Sequence, residues 1–179
     1  MLEAAKYSAM ERMRDGRAVE IRALAPDDKA GLLDAVDHTS SQSMYRRFFG
    51  AKREFSEKER AFFLNIDFAS HVALVAVVEE AGRAGIVAGG RYIVQRPGAA
   101  EIAFVVIDDY QGQGIGAALL RHLAILARDA GLKEFTAEVL PENIPMLKTF
   151  EKSGLQMSTK RKSGTVHVAL QLGRSGLTE

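Results

Sequence analysis

Gln111-Gly112-Gln113-Gly114-Ile115-Gly116 stands between an apolar run at 101–107 and a segment whose period turns helical from Gly114. Glycines let a backbone approach a ligand closely, and the unpaired N–H groups of a helix start form an outward-facing anion site. The stretch therefore predicts a strand-to-helix turn able to hold a diphosphate. A tight turn with no ligand fits the same glycines. So does a dinucleotide fingerprint, because Gly112, Gly114 and Ala117 satisfy G-x-G-x-x-A and Glu138 falls about where a ribose-binding acid would sit. Placement argues against a nicotinamide cofactor. That fingerprint follows the first strand of a long parallel sheet, whereas here several strands precede the turn and too little chain follows it.

Working outward, Ile115, Leu119, Leu123, Leu126 and Ala130 share one helical face, with Arg121, Arg128 and Asp129 elsewhere, and Gly131 ends the helix. Residues 135–140 read as a strand. Residues 143–152 read as a helix with Asn143 as N-cap, Pro145 in the first turn and Gly154 just past the end. Residues 155–161 and 165–172 form a closing hairpin around Lys162-Ser163-Gly164.

On the other side of the turn, 72–78 and 86–94 are strands joined by a turn at 82–85, and Pro97-Gly98 leads into the strand at 101–107. Near the start, Asp15-Gly16 predicts a hairpin between 10–14 and 17–24, where Val19, Ile21 and Ala23 alternate with polar residues. Pro26-Asp27-Asp28 opens a helix to about His38, and 40–49 is a second short helix. Ser56 and Glu59 cap a third, with Phe62, Phe63 and Ile66 on its buried side. The result is an α/β mixture around one mixed sheet.

Bulk properties narrow the function. With 47% hydrophobic and 26% charged residues, the 179-residue chain reads as one soluble domain with its core over about 19–172. The absence of cysteine removes disulfides, thiolate nucleophiles and cysteine zinc sites, and no metal is expected. Lysine plus arginine number 24 against 23 acids, so there is no bulk electrostatic case for nucleic acid or an anionic membrane. No apolar run approaches the roughly 18 residues of a spanning helix, and Glu3 comes early where a signal peptide would be apolar. A cytoplasmic protein is expected.

The turn from Gln111 to Gly116 also resembles the acyl-CoA motif Q/R-x-x-G-x-G/A of the GNAT superfamily, and the order of elements over 19–172 resembles the whole GNAT fold. Within it, Tyr45-Arg46-Arg47-Phe48-Phe49, Ala100-Glu101-Ile102-Ala103-Phe104 and Asp109-Tyr110-Gln111-Gly112-Gln113-Gly114 look like the bacterial protein-lysine acetyltransferase branch. The resemblance implies a central, mostly antiparallel mixed sheet flanked by helices, with acetyl-CoA as cosubstrate. The backbone of Gln111, Gly112, Gln113, Gly114, Ile115, Gly116 and Ala117 would cradle its pyrophosphate. Backbone groups near Val106 would bond the pantetheine in an opened gap of the sheet. Asn143 would meet the CoA arm or the neighbouring backbone, although an N-cap already explains it. The implied partner is an amine acceptor, with a protein lysine favoured, and a homodimer is left open. Members of that branch often carry a fused regulatory or synthetase-like domain. Residues 1–179 leave no room for one, so nucleotide control is not expected.

Acyl transfer to an amine needs a base, because a lysine ammonium has an unperturbed pKa near 10.4. Glu101, an acid at the start of an otherwise apolar strand, is the candidate, and the enzymes it resembles use a glutamate in this strand. A carboxylate simply facing solvent explains it too. Glu138 is second, with an exposed sheet face as its plain explanation. His71 reads as the start of a strand and His122 as lying on the polar side of its helix. Many GNAT enzymes place a tyrosine general acid where Phe150 stands, so no proton donor for the thiolate is assignable. The 45–49 cluster would border the acceptor cleft, and Lys160-Arg161-Lys162 reads as a solvated hairpin tip. Small-amine acetylation, or a non-catalytic acyl-CoA-binding module, stays open beside protein-lysine acetylation.

Overall fold

The computed structural model describes residues 2–28, Gly31 and 66–173. Beyond the short 3-10 turn Pro26–Asp28, the helices expected between about 29 and 65 lie outside the described residues, as does the Tyr45-to-Phe49 cluster. The strands are β1 (Ser8–Arg12), β2 (Ala18–Ala23), β3 (His71–Glu80), β4 (Arg83–Arg96), β5 (Ala99–Val106), β6 (Glu134–Val139), β7 (Gln156–Lys162) and β8 (Thr165–Gln171). Two helices are described in full, α1 (Ile115–Asp129) and α2 (Ile144–Glu151).

The strands form one sheet of eight in the order β1-β2-β3-β4-β5-β6-β8-β7. Every neighbouring pair is antiparallel except β5 and β6, which α1 joins by a crossover and which run parallel. The turn expected at 82–85 is shorter than its glycines suggest. Ala81 and Gly82 have φ of 51° and 77°, the two positive values of a two-residue hairpin turn. Gly85 accordingly belongs to β4, opposite Val78. Ser163 and Gly164 repeat that geometry between β7 and β8, with φ of 51° and 81°.

The core lies between one face of the sheet and α1. Leu119, Leu123 and Ala127 meet Ile21, Leu74, Tyr92, Ile102, Phe135 and Val168 there, all of them buried. Gly90 makes this contact close. A Cβ added at Gly90 would lie 2.7 Å from Phe104 Cδ1 and 3.2 Å from Leu123 Cδ1. Helix α1 ends as expected, with the Gly131 amide bonded to Arg128 O and the Leu132 amide to Ala127 O. Ala130 is the exception to the expected stripe: it occupies the C-cap and is exposed. On the opposite face, Leu24, Ala73 and Val75 form a smaller apolar cluster. Among the described residues no helix is long and apolar enough to cross a membrane.

Candidate active site

The site starts where β5 and β6 part. Their pairing covers only Ala99–Glu101 against Glu134–Thr136, and from Ile102 onward the two strands have no ladder between them among the described residues. The direction of the β5 main chain follows from one bond. Ile107 N donates to Val87 O on β4 (3.0 Å), so alternate residues of β5 face β4 and the intervening ones, Phe104 and Val106, turn their amide groups toward the gap. Glu101 is the last paired residue before the strands part. Ile102 and Phe104 point into the core, so Glu101 points to the opposite face, where it is exposed beside Ile93 and Thr136.

Past Val106 a 3-10 turn, Asp108–Tyr110, leads to the glycine-rich segment. Gly112 and Gly114 have φ of 81° and 87°, a left-handed region that costs an L-residue about 1–2 kcal/mol. Gly114 is the N-cap of α1 and carries no side-chain cap; the first helical bond runs from the Ala118 amide to Gly114 O. The amides of Ile115, Gly116 and Ala117 therefore precede the helical ladder and point out of its positive end. A Cβ built at Gly112, Gly114 or Gly116 meets nothing within 4 Å. Packing does not demand these glycines, and the helix mouth is open.

Side chains hold the turn from outside. Gln111 Nε2 donates to Val106 O (3.1 Å) and to Asp108 Oδ1 (3.3 Å), which ties the turn to the edge of the gap. Gln113 is held by the β1–β2 hairpin, its carbonyl accepting from Arg14 N (3.1 Å) and its Oε1 from Asp15 N (3.3 Å). Tyr110 is buried and its hydroxyl donates to Glu80. Arg17 lies over the Tyr110 ring, 5.3 Å from its centre, and bonds Glu80 (2.7 Å) and Asp15 (2.9 Å). Burial raises the Tyr110 pKa and the Glu80 carboxylate adds to this, while Arg17 opposes it. This clamp was not legible in the sequence, because its members lie far apart along the chain.

His71 and Arg91 share the face of Glu101. Arg91 Nη1 lies 3.0 Å from His71 Nε2, and both side chains are buried. Burial first, and the Arg91 cation second, push the His71 pKa down to about 4. His71 is thus a neutral acceptor held in the sheet. His122 departs from expectation. It is buried, with Nδ1 2.5 Å from the Tyr7 hydroxyl and Nε2 2.7 Å from Glu11 Oε1. The side of α1 that periodicity assigns to solvent is covered by β1 and the segment before it.

Asn143 is the N-cap of α2, its Oδ1 accepting from Met146 N (3.4 Å), and it is buried. Phe150 is also buried, its ring 6.4 Å from that of Phe104 on the core side of the gap. Glu138 is not isolated: His167 Nδ1 lies 2.5 Å from its Oε1 and Thr165 Oγ1 3.0 Å from its Oε2.

The sequence that builds this parted sheet and glycine-rich helix start also matches a family profile. Residues 38–155 match the acetyltransferase (GNAT) family. The chain belongs to that family. The GNAT fold is equally plain in three dimensions: the crystal structure of the GNAT domain of S. lividans PAT superposes with a TM-score of 0.82 and 33% identity, covering 92% of this chain and 96% of that one. Acetyltransferase Pat of Mycolicibacterium smegmatis is 32% identical over 80% of the chain, which spans only 43% of that relative. Acetyltransferase PA5475 of Pseudomonas aeruginosa is 34% identical over 70% of the chain and 68% of its own length.

Proposed function

We propose that this GNAT chain transfers an acetyl group from acetyl-CoA to a primary amine, with a protein lysine as the acceptor class. The observation that carries the proposal is the parted β5–β6 boundary running straight into an uncapped helix start with left-handed Gly112 and Gly114. A diphosphate at that mouth meets the amides of the segment from Gln111 to Ala117, and the helix dipole favours its charge. The pantetheine then runs along β5 and bonds the main-chain groups of Phe104 and Val106 that turn toward the gap. Asn143 keeps the start of α2 in place beside the CoA arm. The protein-lysine acceptor rests on the resemblance of the Glu101 strand and the 109–114 segment to bacterial protein-lysine acetyltransferases.

The thioester reaches the fork where Glu101 stands. Glu101 takes a proton from the acceptor ammonium, directly or through water, and the amine attacks the thioester carbonyl. The tetrahedral intermediate loses the second proton of the attacking nitrogen to water and collapses with loss of the CoA thiolate. Support for Glu101 is its place at the fork, on the exposed face, with no side-chain partner among the described residues. Steady-state turnover of Glu101→Gln, measured beside its acetyl-CoA affinity, tests the assignment. An unchanged rate with an acceptor that the wild type turns over would remove Glu101 as the base.

A further inference from the structure

The β1–β2 hairpin takes no part in the acyl-transfer steps above, yet its tip is bonded to the glycine-rich turn. We propose that the backbone amide of Arg14 is a positioning group for the cosubstrate. By holding the Gln113 carbonyl, it aims the Gly114 amide at the CoA diphosphate. The proposal rests on the acetyltransferase reading above and gives the hairpin a share in acetyl-CoA affinity.

The hairpin tip has a donor to spare. Gly16 N donates to Met13 O (3.0 Å) and Met13 N to Arg17 O (2.9 Å), which closes the turn. Arg14 and Asp15 are its two central residues, and neither has a positive φ, the pattern of a type I turn. The bonds that close the turn do not use the Arg14 N–H. It donates to Gln113 O at 3.1 Å instead. The next amide, Asp15 N, donates to Gln113 Oε1 at 3.3 Å, so adjacent amides hold both the main chain and the side chain of Gln113.

Peptide geometry carries the effect across to the mouth of the helix. A trans peptide unit is planar, and its N–H points opposite to its C=O. The unit joining Gln113 to Gly114 has its carbonyl on the hairpin tip, so its N–H points away from the tip. That N–H belongs to the N-cap of α1, immediately before the amides of Ile115, Gly116 and Ala117 that precede the helical ladder. Glycine is permissive in φ, so the chain alone does not keep this unit in one orientation. The hairpin supplies the hold.

The tip is itself fixed. Arg17 bonds Asp15 through its amide (3.0 Å) and its Nε (2.9 Å), and Glu80 through Nη1 (2.7 Å). Glu80 accepts from the Tyr110 hydroxyl, and Arg17 lies 5.3 Å from the centre of the Tyr110 ring. The contacts thus run from Gln113 through Asp15, Arg17 and Glu80 to Tyr110, which re-enters the chain just before the turn. Both ends of the segment from Tyr110 to Gln113 are tied to one hairpin, with left-handed Gly112 between them.

Arg14→Pro isolates the bond, because proline suits the second position of a type I turn and lacks the N–H that Gln113 uses. The reference is Arg14→Ala, which loses the same guanidinium and keeps the amide. CoA release is followed with whichever of free lysine, poly-L-lysine or spermidine the wild type turns over fastest. Calorimetric Kd for acetyl-CoA is read alongside, so the comparison holds for any acceptor. Relative to Arg14→Ala, Arg14→Pro should raise the KM and Kd for acetyl-CoA about tenfold, the low end for one hydrogen bond to a charged group. Its kcat should hold, the signature of binding lost equally from ground and transition states. Acetyl-pantetheine, which lacks the diphosphate, should be used with the same kcat/KM by both variants. Arg17→Ala, which frees the tip from Glu80 and leaves the Arg14 amide in place, should show the same pattern at smaller size. It decides the matter if Arg14→Pro does not fold. Equal acetyl-CoA KM and Kd in the proline and alanine variants, or an equal loss with acetyl-pantetheine, overturns the proposal. For Arg17→Ala the same two results against wild type do so. Wild-type protein that favours acetyl-CoA no more than acetyl-pantetheine, or binds neither, overturns the reading of the turn as a diphosphate site first, and this proposal with it.

Discussion

Gly114 and Gly116 flank the same helix start but differ in what they require, and replacing each by alanine separates backbone strain from ligand binding. Gly114 sits at φ 87° with nothing within 4 Å of an added Cβ. Gly114→Ala therefore creates no clash and costs only the left-handed conformation, about 1–2 kcal/mol. At about 2–4 °C per kcal/mol for a chain of this size, Tm should fall by about 2–8 °C. If the residue escapes the strain by leaving the left-handed region, the amides that follow it rotate off the anion. Losing one hydrogen bond to a charged group, about 1.5–3 kcal/mol, weakens acetyl-CoA by about 10- to 150-fold. Gly116 lies inside the first turn of α1 with no positive φ and equally open space. Gly116→Ala should gain the helix preference of alanine, about 0.5–1 kcal/mol, raise Tm slightly and leave acetyl-CoA affinity near wild type. Differential scanning fluorimetry with and without acetyl-CoA, followed by calorimetric titration, reads both numbers. Undiminished acetyl-CoA affinity in a destabilised Gly114→Ala would show that this turn does not hold the pyrophosphate.

Three further outcomes are expected. Glu101→Gln should lower kcat by about a hundredfold or more with acetyl-CoA affinity intact in calorimetry. Gly90→Ala drives a Cβ to 2.7 Å from Phe104 and should cost about 1–3 kcal/mol by overpacking; urea unfolding with an unchanged midpoint would contradict the tight α1–sheet contact. His71, pushed down to about 4 in the folded chain from its ordinary 6.5 by burial first and the Arg91 cation second, binds fewer protons folded than unfolded between those values. Stability should therefore fall as pH drops from about 6.5 to 4, by at most about 3 kcal/mol. His71→Gln should flatten that stretch of the urea-derived stability curve.

Much of the architecture was legible because it depends on local period and local turn chemistry. Alternation marked β2, the apolar runs marked β3 and β5, and Gly131 and Asn143 marked where helices stop and start. The errors share one origin. His122 lies on a side of α1 that looks polar in one dimension, but a strand from the other end of the chain covers it. The turn at Ala81-Gly82 was misplaced because glycines at 82 and 85 both signal turns, and only pairing across the hairpin shows that Gly85 belongs to β4.

The candidate site divides the same way. The chain itself determined the glycine-rich turn, the GNAT resemblance and the place of Glu101 at the start of its strand, since a strand, a glycine turn and a helix in succession are contiguous and carry their signals in order. Tertiary structure decided what surrounds them. That β5 and β6 part after Glu101, that the Met13-to-Arg17 hairpin tip grips Gln113, and that His167 meets Glu138 all depend on register between segments far apart in sequence. Strand register shifts every side chain to the other face with a slip of one residue. No local pattern encodes it, and the packed sheet fixes it.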